Sequence, residues 1–195
     1  ALIVIAAILF QLTLPMTPAQ ILWINMVTSS TLGLALAFDP AERGLMQRPP
    51  RPPAEPLLSL FFVWRVLLVS LLMMAGALGL FLWELEHGTG LESARTMAVN
   101  SVVVCEMFYL LNSRHIYDSV LSREGLFGNR QVLLAIAACV VLQLLYTYAP
   151  PLQALFGSVG LAPGEWARVL LAGLGLFCVA ELEKWLCRRV RARQA

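Results

Sequence analysis

Leu57-Leu-Ser-Leu-Phe-Phe-Val-Trp-Arg-Val-Leu-Leu-Val-Ser-Leu-Leu-Met-Met-Ala-Gly-Ala-Leu-Gly-Leu-Phe-Leu-Trp83 carries a single ionisable side chain, Arg65. It is longer than the roughly 20 apolar residues that cross a bilayer as a helix. Only helices and closed barrels satisfy their backbone groups in lipid, and the run lacks the strict alternation of a barrel strand, so it reads as a membrane helix. Working outward, further apolar runs occupy Ala1–Leu14, Ala19–Phe38, Ala94–Leu111, Gln131–Ala149 and Glu165–Leu186. The pattern predicts an all-α, polytopic membrane helical bundle with five complete transmembrane helices and a truncated N-terminal one, forming a single membrane domain over 1–195. The first run rises only roughly 21 Å, against ~30 Å of hydrocarbon, and has no basic n-region of a signal peptide. It reads as the end of a membrane helix, and the chain as a piece of something larger.

Composition agrees. Charged residues make up 13% of the 195 and hydrophobic residues 59%, with mean hydropathy +0.75. An ordinary soluble domain is about 25% charged, and a soluble fold of this size could not hide so much apolar surface. The same numbers exclude intrinsic disorder. A net charge of +2 gives no footprint for nucleic acid. The four cysteines, Cys105, Cys139, Cys178 and Cys187, form no C-x-x-C and read as small hydrophobes.

The basic residues set an orientation. Arg43, Arg48 and Arg51 fall in the break 39–56, and Arg114, Arg123 and Arg130 in the break 113–130. Lys184, Arg188, Arg189, Arg191 and Arg193 crowd the C-terminus, whereas the breaks 15–18, 84–93 and 150–164 hold no Lys or Arg. By the positive-inside rule, loops 39–56 and 113–130 and the tail 188–195 are cytoplasmic. Arg65 is placed to snorkel to that interface. Arg48-Pro-Pro-Arg-Pro-Pro-Ala-Glu-Pro56 is polyproline-like and stiff, either a spacer or a docking surface.

No phosphate-cradling loop, H-E-x-x-H or nucleophile elbow occurs. The candidates for chemistry are polar groups inside the membrane, which are expensive to bury. Asn25, Thr28 and Ser29 fall at i, i+3 and i+4 on one helical face and offer hard oxygen ligands, although Ser and Thr serve equally well as packing glue. Glu106 is the one carboxylate far from the ends of its run. Ionised, it needs a cation, a partner or water; otherwise it holds a proton and hydrogen-bonds a neighbouring helix. Glu181 and Glu183 beside Lys184 and Arg188 read as an interfacial ion-pair cluster, and Ala75 with Gly79 as a small-xxx-small contact. From these residues alone an ion path, a free-standing channel or secondary transporter, and an inert membrane scaffold all remain open.

Leu14-Pro-Met-Thr-Pro-Ala-Gln-Ile-Leu-Trp-Ile-Asn-Met-Val-Thr28, Ala37-Phe-Asp-Pro40, Met46-Gln-Arg-Pro-Pro-Arg51 and Cys105-Glu-Met-Phe-Tyr-Leu-Leu-Asn-Ser113 resemble the P-type cation-transporting ATPases, in their calcium-pump-like branch. The resemblance covers the end of that family's fifth membrane helix through its tenth. It implies the C-terminal, ion-pathway half of an ATP-driven pump. The phosphorylated Asp-Lys-Thr-Gly motif and the nucleotide-binding and actuator domains fall outside this chain. ATP and Mg²⁺ are then cofactors of the parent pump, with none expected here, and the chain alone is expected to be inactive. The partners implied are the lipid bilayer, the transported cation and the remaining domains of the pump, with loop 39–56 touching the phosphorylation domain. By the same resemblance Asn25 and Thr28 match sixth-helix ligand positions and Glu106 the eighth-helix ligand. Ser29 stands where calcium pumps have Asp, so a monovalent ion is favoured over calcium. Arg far outnumbers Lys, which hints at a GC-rich genome and a prokaryotic plasma membrane.

Overall fold

The computed structural model describes residues 2–37, 60–113 and 129–192. The loops expected over 39–56 and 113–130 therefore lie almost entirely outside the described residues, as do the last three residues of the tail. The described residues form helices and connecting turns, with no strand among them. We number them α1 (Leu2–Leu9), α2 (Pro18–Thr28), a π-helical turn (Ser29–Gly33), α3 (Leu34–Ala37), α4 (Leu60–Glu86), α5 (Leu91–Ser113), α6 (Arg130–Tyr148), α7 (Pro150–Phe156) and α8 (Pro163–Ala192). Three of them, α4 from Phe62, α5 and α6, are long and apolar enough to cross a membrane.

Local chemistry starts these helices where they start. Thr17 and Gln20 form a reciprocal capping box: the Gln20 N–H donates to Thr17 Oγ1 at 3.3 Å, and the Thr17 N–H donates to Gln20 Oε1 at 2.9 Å. Pro18 occupies the first turn of α2, where a missing N–H does no harm. Asn129 caps α6 by accepting from the Gln131 N–H at 2.9 Å. Between α6 and α8 lies the break 150–164 of the apolar pattern. It contains α7, opened by Pro150 and closed by Gly157 at φ 62°, the left-handed conformation that glycine adopts without penalty. The last helix also outruns its apolar run, continuing to Ala192.

The bundle is built around α5. It packs against α4 and α8 most heavily and also against α2 and α6. Two-thirds of its apolar window is buried, 67% against 17% for α4 and 28% for α6. Those two helices therefore present most of their surface outward. Leu67, Leu71, Val141, Leu144 and, on α8, Leu171 are all exposed, as suits side chains that meet lipid tails. On the α2–α6 side, Trp23 stacks on Tyr146 with centroids 5.6 Å apart, and Phe156 of α7 packs against both rings. Gln20 Nε2 donates to the Phe156 carbonyl at 3.1 Å, which ties α7 to the start of α2.

Each end of the bundle is closed by a buried polar cluster. At one end Arg168 Nη2 meets Glu84 Oε1 at 2.7 Å while its guanidinium lies over the Trp83 ring. The Thr89 hydroxyl donates to Glu84 Oε2 at 2.7 Å. At the other end the expectation that Arg65 snorkels outward is corrected: it is only 5% exposed, and its Nη2 donates to Asn112 Oδ1 at 2.7 Å. Asn112 in turn donates to Glu181 Oε1 at 2.8 Å, and Lys184 Nζ donates to the Asn112 carbonyl at 2.6 Å. The Asn112 amide, itself tied to α8, holds the Arg65 guanidinium inside the protein. Glu181 and Lys184 do pair, at 3.1 Å, but within this cluster.

Candidate functional site

The bundle departs from plain helices in two places. The first is the π turn. Ser29 opens it, and its N–H is shared between the carbonyls of Asn25 and Met26. Around this turn the hydroxyls bond backward, each donating to the carbonyl four residues earlier. Thr28 donates to Ile24 at 3.0 Å, Thr31 to Val27 at 2.7 Å, and Ser30 to Met26. Such back-bonding loosens a helix where it occurs, and π turns gather at functional sites. The turn packs against α6.

The second is an open-sided cavity of about 320 Å³ bounded by α1, α2, α4 and α5, together with Met16. Most of its wall is aliphatic, including Leu2, Ile3, Ile24 and Val102. Three polar side chains break that wall: Asn25 from α2, Ser70 from α4 and Glu106 from α5. Glu106 is half-buried as a residue, but its Oε2 is wholly buried and has no hydrogen-bond partner among the described residues. Thr28 lies near that carboxyl, with its own hydroxyl proton given to the Ile24 carbonyl. A buried oxygen without a partner is what a cation, a proton or a water satisfies.

Of the four residues singled out from the sequence, the cavity brings together Asn25 and Glu106, with Thr28 at the carboxyl. Asn25 and Ser29 are both exposed, and Ser29 is not part of the cavity wall. Ser70 is a wall residue that the sequence does not single out. A signal for it exists, because Ser70, Met73 and Met74 fall at i, i+3 and i+4, and all three line the cavity. An isolated Ser in an apolar run, however, does not say which of its faces turns inward.

The remaining polar residues of the interior hold helices together. Asn100 Nδ2 donates to Thr147 Oγ1 at 3.2 Å, and Trp23 Nε1 donates to Gln143 Oε1 at 3.3 Å, pinning α6 to α5 and α2. The four cysteines, all among the described residues, form no disulfide. Among the described residues no group of three or more His, Cys, Asp and Glu is placed to hold a metal ion.

Comparison with known proteins bears directly on this region. The family described as "Cation transporting ATPase, C-terminus" matches residues 13–186. A probable cation-transporting ATPase F of Mycobacterium tuberculosis is 43% identical over 192 residues, which is 98% of this chain and 21% of the relative. The cation-transporting ATPase pma1 of Synechocystis is 33% identical, over 92% of this chain and 20% of its own length. A calcium-transporting ATPase of Bacillus subtilis is 32% identical, over 87% and 19% respectively. The chain thus spans about a fifth of the length of these curated relatives.

Proposed function

This chain belongs to the cation-transporting ATPases, as their C-terminal membrane region, and from that premise we propose that the cavity at Glu106 is part of the ion path of an ATP-driven P-type pump. The observation that carries the reading is the Glu106 carboxyl itself. One of its oxygens is sealed from solvent without a partner, beside a cavity that also receives the Asn25 amide. Leaving a carboxylate in that state costs several kcal/mol or more unless something shares its charge.

A single carboxylate among neutral oxygens favours a monovalent cation, since high-affinity divalent sites gather several carboxylates. Ser29, where calcium pumps by resemblance carry Asp, points the same way. Asn25 and Glu106 are the ligands we assign to the cavity wall, Thr28 assists Glu106, and Ser29 bears on selectivity through the π turn. These oxygens are too few to complete an ion cage, so the rest of the pump supplies the others. ATP and Mg²⁺ act in that remainder, and the 195 residues alone hydrolyse nothing. The run of Arg in the tail and in the loops outside the described residues favours a cytoplasmic C-terminus, in a prokaryotic plasma membrane.

The test is ATP-driven flux by the full-length protein in vesicles, with NaCl, KCl, CaCl₂, MgCl₂ and MnCl₂ compared. Flux stimulated by sodium or potassium is the expected result, with Ser29→Asp moving preference toward the divalent salts. Stimulation by calcium alone would overturn the monovalent assignment, and no cation flux at all would overturn the pump.

A further inference from the structure

We propose that Ser70 is a third ligand-bearing wall of the cavity, a neutral hydroxyl from α4 that joins Asn25 and Glu106 in receiving a monovalent cation with part of its water shell. The inference rests on the ion-path reading of Glu106 and extends it to a helix that the sequence marks only as apolar.

The first support is how the other hydroxyls are used. Thr28, Ser30, Thr31, Thr96 and Thr147 each donate to the carbonyl four residues back in their own helix. That is the usual fate of a hydroxyl on a helix in lipid, where no water competes. Among the described residues no such back-bond engages Ser70, Ser29 or Ser101, and of these three only Ser70 is part of the cavity wall. An oxygen left available in the same wall as a carboxyl whose Oε2 has no partner can share a ligand with it.

The second support is volume and charge. A space of about 320 Å³ is far larger than a bare ion. It has room for several waters, each needing roughly 10–15 Å³ of accessible space. The wall contributes one formal negative charge, from Glu106, and two neutral oxygens, from Asn25 and Ser70. That set carries at most one negative charge, and the coordination it leaves open falls to water and to the rest of the pump. Met73 and Met74, one turn along from Ser70, close the same side with apolar surface. Water is then ordered by few groups, and each of those groups counts.

The experiment measures ATP hydrolysis of the full-length protein titrated with NaCl, KCl or CaCl₂, together with its melting temperature. It compares Ser70→Ala, Ser70→Thr and Glu106→Gln. The loss of one ligand-directed hydrogen bond raises the half-activating sodium or potassium concentration about three- to tenfold in Ser70→Ala. Ser70→Thr keeps the hydroxyl and stays within about twofold of the wild type. If Ser70→Ala does not accumulate, Ser70→Cys, of similar volume but with a weak donor, is expected to show the same shift. An unchanged half-activating concentration in Ser70→Ala, with Glu106→Gln strongly shifted, overturns the role of Ser70 alone. A Ser70→Ala protein that melts at a lower temperature with its affinity untouched overturns it equally. A silent Glu106→Gln overturns the ion-path reading and this inference with it.

Discussion

Gly173 shows how little room single atoms have at the centre of the bundle. A Cβ on this residue of α8 would sit 2.6 Å from Phe108 Cδ2 and 2.8 Å from Val104 Cγ1 on α5. The missing side chain therefore sets how closely the two helices cross, as small residues do between membrane helices. Gly173→Ala should destabilise the protein by about 1–3 kcal/mol, the usual penalty of overpacking. Thermal melting in detergent checks this. Phe108→Leu, which clears the ring, should restore part of the loss. Gly79→Ala is the control, since nothing lies within 4 Å of the Cβ it would carry, and its melting temperature should match the wild type. The small-xxx-small pair legible in the sequence, Ala75 and Gly79, faces outward, while Gly76 approaches Ala172 and Ala77 is fully buried. Spacing reveals that small residues share a face, but not which face meets a neighbour.

At the scale of elements, α4, α5 and α8 are fastened at one end through Asn112, whose amide and carbonyl bond Arg65, Glu181 and Lys184. Asn112→Ala removes two of these bonds inside the protein and should lower stability by about 1–3 kcal/mol. Denaturant or thermal unfolding of the purified protein measures it, and a loss below the error of the method would show that the cluster is slack. The helices themselves are largely legible in the sequence, because apolar runs near membrane length have few other solutions. Three features are not. The π turn at Ser29–Gly33 depends on hydroxyls bonding backward, which Ser and Thr also do in plain helices. Helix α7 is short and sits in a polar, Pro-rich break that reads equally well as a loop. Arg65 looks like an interfacial residue until Asn112, far along the chain, is known to meet it. Of the cavity, Asn25 and Glu106 stand out because amides and carboxylates are rare in lipid, whereas Ser70 is hidden by being ordinary.

For the molecule as a whole, the antiparallel bundle places the Glu84–Arg168 cluster at the opposite end from the Arg65–Asn112–Glu181–Lys184 cluster. On the topology proposed above, the second of these ends faces the cytoplasm. In a variant with the four cysteines replaced by serine, Glu86→Cys should react with a membrane-impermeant maleimide added to intact cells, and Arg193→Cys should react only after lysis. Labelling of both positions from the same side would invert or break the topology. Glu106 matters most to the molecule's proposed role, since the cavity and its polar neighbours take their functional meaning from that one carboxyl. Its most direct test is the cation concentration that half-activates ATP hydrolysis by the full-length protein, wild type against Glu106→Gln. The expected result is a rise of about tenfold or more, or loss of activation, with the melting temperature preserved, because the amide keeps the shape and removes the charge. An unchanged half-activating concentration for every cation tried would contradict the ion path at Glu106.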